Sequence, residues 1–233
     1  MTLVWKSGPG NLILKNEAVE ADPFFNNVSL LLHGDGTNGS TTIFDSSSSP
    51  KAVTAVGDAQ ISTAQSKFGG SSIAFDGNGD YLTVTASSDF NFATGDYTIE
   101  AWIYPASTTF GVYATGGGGS RDQFVFANGT CFWDYPSTFG FSGISSGDLN
   151  QWSHVVVCRA GTTNRFFKNG IEAFSWQSSA SIGSAVVTPY IGRRTDGFYQ
   201  ANGYIDELRI TKGIARYTAN FTPPTAPFPE VLG

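Results

Sequence analysis

Four aspartates, Asp35, Asp76, Asp80 and Asp206, fall at strand ends or turns, where carboxylates are free to do chemistry. Calcium takes about six to eight oxygen ligands and mixes carboxylates with backbone carbonyls. The glycine-rich turn Asp76-Gly77-Asn78-Gly79-Asp80 would expose such carbonyls, so the four form a candidate structural calcium site. Ordinary turn chemistry is the competing reading, because aspartate caps backbone donors and tolerates tight turns. Asp206 is the most demanding. Strand alternation over 204–210 groups Asp206 with Leu208 and Ile210, and Ile205 with Glu207 and Arg209. Leu208 and Ile210 predict the core face. Asp206 is thus expected to point toward the core, where a carboxylate needs backbone donors, a cation or a metal. No second carboxylate shares its face, so Asp206 reads as a structural acid tying this strand to the early turns.

Catalytic constellations are poor. A retaining glycosidase needs two carboxyl groups about 5–5.5 Å apart. The strand over 97–104 puts Thr98, Glu100 and Trp102 on one face and Ile99, Ala101 and Ile103 on the other, which offers one carboxylate. An ion pair of Arg209 with Glu100 or Glu207 is the simpler reading. His33 and His154 lie in strand contexts, and no serine occupies a nucleophile elbow. No catalytic residue and no enzymatic activity are expected. A binding surface is better supported. Residues 110–141 are dense in aromatics, and Trp133-Asp134-Tyr135 and Arg121-Asp122-Gln123 pair aromatic or planar groups with hydrogen-bonding ones. These six residues are candidates for carbohydrate or partner contact. The alternative is that the aromatics of this stretch fill a core.

The elements that must carry these residues are strands. Charged residues make up 14% of the 233, against about a quarter in ordinary globular chains, while the chain holds 28 glycines, 19 phenylalanines and one methionine. That composition suits β-strands joined by turns. Short strands are predicted at Val28–His33, Ser71–Phe75, Tyr81–Thr85, Tyr97–Tyr104, Phe124–Ala127, Thr130–Trp133, Trp152–Arg159, Arg165–Lys168, Ile171–Phe174, Thr188–Ile191 and Tyr204–Ile210. Asn128-Gly129 and Asn169-Gly170 predict two-residue hairpin turns, which need positive φ at both positions. Tyr81–Thr85 is expected to return as a hairpin after the 76–80 turn. Ile61–Phe68 and Ser87–Phe92 are expected to be short helical turns. The run Val155-Val156-Val157 is apolar on both faces, so its strand should be covered on both sides. Such strands argue for an all-β sandwich of two sheets. Residues 1–27 read as an N-terminal arm, 28–222 as the sandwich and 223–233, with Pro223, Pro224, Pro227 and Pro229, as a strap lying across it.

The net charge is −6 and basic runs are missing, which argues against nucleic acid as a partner. Val28–Leu32 is far too short to span a bilayer, and the first ten residues lack the apolar segment of a secretory signal. Neither a signal peptide nor membrane insertion is expected. Cys131 and Cys158 are expected to be reduced and buried, although spacing alone leaves a disulfide open.

Five segments taken together resemble the laminin G-like, concanavalin A-like lectin/glucanase superfamily. They are SLLLHGDGTNG (29–39), KFGGSSIAFDGNGDYLTV (67–84), DYTIEAWIYP (96–105), QWSHVVVCRAGTTNRFFKNG (151–170), and the pair YIGRR and GYIDELRITKGIARYTANFTPPTAPFP within 190–229. The resemblance implies a jelly roll of two antiparallel sheets, frequent carbohydrate binding, occasional structural calcium near the early turns and last strand, and catalysis in only some branches. The hydrolase branch uses alternating acids on one strand, where this chain offers Glu100 alone. The ending KGIARYTANFTPP is similar to that of modules in bacteriophage virion proteins. It implies a non-catalytic protein of the virion exterior, a capsid decoration or tail-associated protein, made in the host cytoplasm. Its partners would be other virion proteins and copies of itself, joined through the arm and the strap. The alternative is a carbohydrate-binding adhesin that recognises host surface polysaccharide.

Overall fold

A computed structural model describes residues 21–117, 120–135, 139–183 and 186–231. Most of the expected arm, residues 1–20, and the last two residues of the strap lie outside the described residues. The strands are β1 (Val28–Leu32), β2 (Val53–Val56), β3 (Gln60–Ser62), β4 (Ser72–Asp76), β5 (Tyr81–Val84), β6 (Tyr97–Pro105), β7 (Phe110–Gly117) and β8 (Ser120–Ala127). They continue as β9 (Thr130–Tyr135), β10 (Phe139–Ser142), β11 (Ser153–Ala160), β12 (Thr163–Lys168), β13 (Ile171–Gln177), β14 (Tyr190–Ile191) and β15 (Asn202–Lys212). Among the described residues no helix is long and apolar enough to cross a membrane.

Two antiparallel sheets form the sandwich. The first runs β13-β12-β11-β6-β15-β4-β3, with β1 also paired to β15; the second runs β10-β9-β8-β7-β14-β5-β2. Their facing sides bury Ile99, Ala101, Ile103, Val155, Val157, Ile205, Leu208 and Ile210 from the first sheet against Leu82, Val84, Phe110, Phe124, Phe126 and Trp133 from the second. The two Asn-Gly turns have the expected geometry, with positive φ at Asn128, Gly129, Asn169 and Gly170. The expected hairpin across residues 76–80 does not form. Strand β4 pairs with β15 and β3, and β5 with β2 and β14, so the turn carries the chain from one sheet to the other. A 3-10 turn occupies Ser88–Phe90 as expected, but residues 61–68 leave β3 without forming a helix.

The outer face of the first sheet is where the chain invests its polar chemistry. A β-bulge in β15 changes which residues reach it. Asp206 pairs with Trp102 and Arg209 with Glu100, so Glu207 and Leu208 together oppose Ala101. Glu207 takes the left-handed conformation, φ 50°, that a bulge of this kind requires. The extra residue resets the alternation. Asp206 therefore lies with Arg209 on the outer face, and Leu208 and Ile210 with Ile205 in the core. The expectation that Asp206 points toward the core is corrected: simple alternation fails where two residues oppose one.

Over half of this outer face the chain packs residues 21–27 and the segment after β15, a strap that starts at residue 213 rather than at the expected 223. Arg209 donates from Nε to Glu100 Oε1 at 2.9 Å and from Nη1 to Asp22 Oδ2 at 3.3 Å. Arg216 grips Asp22 in a fork at 3.0 and 2.6 Å, and the Tyr217 hydroxyl donates to Glu100 Oε2 at 2.8 Å. The Phe228 ring lies 3.7 Å from the Arg209 guanidinium carbon. Tyr217 and Phe221, stacked at 3.7 Å, cover Val156, Cys158 and Phe167. The two-sided apolar strand β11 is thus covered by the core on one side and the strap on the other. Further along, Glu207 accepts from the Phe228 N–H at 2.8 Å, and its other oxygen lies 2.8 Å from His33 Nδ1. Glu230 meets the second ring nitrogen at 3.0 Å. Cys158 sits under the strap and Cys131 in the central core; both are free thiols.

These buried charges set how the protein responds to mutation and pH. Burial alone would raise the Glu100 pKa, but Arg209, His154 and Arg216 outweigh it and hold the carboxyl down at about 2. A depressed carboxylate contributes stability that is complete above its ordinary pKa of 4.5 and is lost as pH falls toward 2. Arg209→Met should destabilise the fold by roughly 3–5 kcal/mol in urea unfolding at pH 7, because it leaves Glu100 and Asp22 buried without their partner. Thermal melts of the native chain should fall steeply below about pH 4.5, and Glu100→Gln should flatten that fall. Asp206 behaves in the opposite sense. Burial pushes its carboxyl up to about 7, against the Lys67 and Phe68 N–H donors and with the help of Glu207 and Asp35. A raised carboxyl stabilises the fold at low pH and loses that contribution as pH rises through 7. Asp206→Asn should therefore be more stable than the native chain at pH 8, by roughly 1–3 kcal/mol, and should lose that advantage by pH 4. An equal difference at both pH values would contradict the assignment.

Candidate functional site

Beyond the strap, the outer face of the first sheet is open. One cross-strand row there reads Gln60 on β3, Ala74 on β4, Tyr204 on β15 and Tyr104 on β6. These four line a groove of about 680 Å³. Tyr104 and Tyr204 meet edge to face at 5.8 Å, and Trp152 braces Tyr104 at 5.4 Å. All three residues are half-buried. Around them stand Asp58, Gln65, Asp76, Asn150 and Asn202. Gly203 has φ +133° and no room for a side chain, since a Cβ would lie 2.1 Å from the Tyr104 carbonyl oxygen. Its bare backbone lets β15 approach β6 closely at the groove floor.

The 76–80 turn forms one wall and is held by Asp80. One Asp80 oxygen accepts from the Asp58 N–H at 2.6 Å, and the other from the Asp76 N–H at 2.9 Å. Asp76 Oδ1 accepts from the Asn78 N–H at 2.6 Å. Asp206 lies in the next row, where Oδ2 accepts from the Lys67 and Phe68 N–H groups at 2.7 and 3.2 Å. It ties the last strand to an early loop, as expected. Lys67 in turn lays its ammonium 3.8 Å from the Trp102 ring centre and closes this row off beside the groove. Asp35 packs against Gly69 of the same loop, close enough that a Cβ on Gly69 would strike its carboxylate. The four aspartates thus divide into Asp76 with Asp80 at one turn and Asp35 with Asp206 at another. Among the described residues no three His, Cys, Asp or Glu side chains gather as metal ligands.

The residues expected to touch a ligand are placed differently. Trp133 is 0% exposed and stacks on Tyr97 at 5.4 Å in the core. A ring with no free face cannot stack on a sugar, so the expectation for Trp133 is corrected to core. Asp122 is buried and accepts from the Thr115 hydroxyl at 3.1 Å, and Gln123 is buried beside it. The side chains of Arg121, Asp134 and Tyr135 lie outside the described residues. Tyr104, Tyr204 and Asn202 were missed: alternation from Trp102 puts Tyr104 on the outer face, but it groups Tyr204 with Asp206, Leu208 and Ile210, the face that reads as core when the bulge is left out. The missing signal was pairing: nothing local in the sequence says that β15 lies beside both β4 and β6.

A sequence profile of the concanavalin A-like lectin/glucanases superfamily matches residues 76–215. No protein with a curated description matches the chain in sequence. In structure it resembles domain 4 of AbnA, a GH43 extracellular arabinanase from Geobacillus stearothermophilus solved in complex with arabinotriose, at 17% identity and a TM-score of 0.58, over 80% of this chain and 94% of that one. It also resembles the botulinum neurotoxin serotype D/C binding domain, at 14% identity and a TM-score of 0.61, and the binding domain of Paraclostridial Mosquitocidal Protein 1, at 14% and 0.57. Each of these likenesses covers 82% of this chain and 50% of the toxin domain. With its paired antiparallel sheets and this match, the chain belongs to the concanavalin A-like lectin/glucanase superfamily.

Proposed function

We propose that this protein is a non-catalytic carbohydrate-binding module and that the Tyr104–Tyr204 groove is its binding site. The observation that carries the reading is the combination in one groove of two half-exposed, braced tyrosines with exposed carboxylate and amide groups. Ring faces supply apolar contact, and the side chains of Gln60, Gln65, Asn150 and Asn202 supply donors and acceptors for sugar hydroxyls. The arabinotriose bound to AbnA domain 4 makes arabino-oligosaccharides the first ligands to try. Binding without cleavage fits the placement of Glu100, the acid on the strand that the hydrolase branch uses, and of Asp80. Glu100 lies under the strap with its oxygens on Arg209 and Tyr217, and Asp80 spends both oxygens on backbone donors.

A virion location is a separate proposal resting on the similarity of the KGIARYTANFTPP segment to phage modules. The strap and residues 21–27 hold the chain's own sheet, so the supposed assembly contacts have no support there beyond that similarity. The groove reading makes no demand on location.

On a glycan array, Tyr204→Ala and Tyr104→Ala should each lower binding about 10-fold or more, the loss of one central aromatic contact. Trp133→Ala should instead lower the melting temperature, with about 3–5 kcal/mol lost from the core. Retention of full binding by both tyrosine variants, or no binding to any glycan, would sink the proposal.

A further inference from the structure

We propose that the groove holds the middle of an extended, uncharged polysaccharide chain, with Phe198 as its outer platform; this rests on the carbohydrate reading above. A second depression, of about 370 Å³, adjoins the first, and Asp76 and Asn202 line both. The two meet at the 76–80 turn and make one path from Tyr104 and Tyr204, past Asp76 and Asn202, to Phe198 and Tyr199. Each depression alone falls in the range of roughly 300–1,000 Å³ that accommodates a drug-sized ligand. Together they call for several linked sugar rings.

Phe198 stands at the outer end of this path. It is 63% exposed, yet the loop displaying it is rigidly built. The Arg194 N–H donates to the Phe198 carbonyl at 2.9 Å, and the Gly197 N–H to the Arg194 carbonyl at 3.0 Å. The Arg194 guanidinium bonds Asp196 twice, at 2.7 and 2.8 Å, and lies 5.2 Å from the Phe198 ring centre. The next residue, Tyr199, is held in the left-handed region at φ 54°. The place of Phe198 at the far end of the path, on a braced loop, lets its ring serve as a contact platform.

The lining also selects on charge. Its acidic groups are Asp58, Asp76 and Asp80, and no lysine, arginine or histidine is among the described lining residues. Arg194, on the adjoining loop, is paired with Asp196. A carboxylate-bearing groove repels uronate- or sulfate-bearing chains and accepts neutral ones through their hydroxyls.

Affinity electrophoresis through linear arabinan, xylan, mixed-linkage glucan, galactomannan, polygalacturonate and heparin tests the charge rule. Calorimetry with the di- to hexasaccharides of the retarding polymer tests the length rule. A neutral polymer should retard the protein while the two anionic ones do not. The hexasaccharide should bind about tenfold tighter than the trisaccharide. Phe198→Ala should abolish that gain while leaving trisaccharide affinity and melting temperature unchanged. Preference for an anionic polymer, affinity that levels off at the trisaccharide, or a Phe198→Ala variant with undiminished hexasaccharide binding would overturn the inference. In those cases loss of binding in Tyr204→Ala would leave the groove itself standing. No retardation by any polymer would remove both readings.

Discussion

The rest of the structure depends on four charges buried on the outer face of one sheet. Glu100 comes from a central strand, Arg209 from the last strand, Asp22 from the N-terminal segment and Arg216 from the strap. Two carboxylates and two guanidiniums balance, and both arginines bond Asp22, Arg209 also reaching Glu100. Desolvating them is costly, and only near-complete pairing offsets it. That requirement fixes position rather than adding much stability. The strap must lie where Arg216 and Tyr217 reach Asp22 and Glu100, and the N-terminal segment must return to the same spot. The bulge in β15 is part of the arrangement, because without it Arg209 would not share a face with Asp206 and stand opposite Glu100.

This clamp divides the face in two. On one half, aromatic residues of the strap seal the sheet and bury His154, Cys158 and Glu100. On the other, the sheet stays bare, and the tyrosines of β6 and β15 meet solvent beside the 76–80 turn. Glu100, the acid on the strand that the hydrolase branch uses, is locked under the seal, while the open half holds aromatic faces, amides and the carboxylates of Asp58 and Asp76. The proposed function rests on that division. Asp206 and the Lys67–Trp102 contact mark the border between the halves.

Much of the fold was legible because it is written in local signals. Asn-Gly turns, alternation in β6 and the two-sided apolar run in β11 each point to one conformation. The Glu100–Arg209 pair was also legible as one of two options, since each residue sits on a recognisable strand face. What failed depended on pairing between distant strands. The bulge that turns Asp206 outward is invisible in 204–210 alone, because alternation assumes one residue opposite one. The 76–80 turn has hairpin chemistry but joins two sheets. Trp133 looked like a ligand platform because it stands between polar and aromatic neighbours; its strand position in the core decided otherwise. Strands β2, β3, β7 and β10, short or glycine-rich, carried too little pattern to be predicted, and with β3 went the Gln60 edge of the groove.

The most direct test of this division is a proton–nitrogen correlation NMR titration with the tightest-binding neutral oligosaccharide. Amide shifts should concentrate at Gln60, Asp76, Tyr104, Asn202 and Tyr204, and leave residues 213–229 of the strap unmoved. Shifts centred on residues 121–135, or on the strap, with the groove silent, would contradict the account.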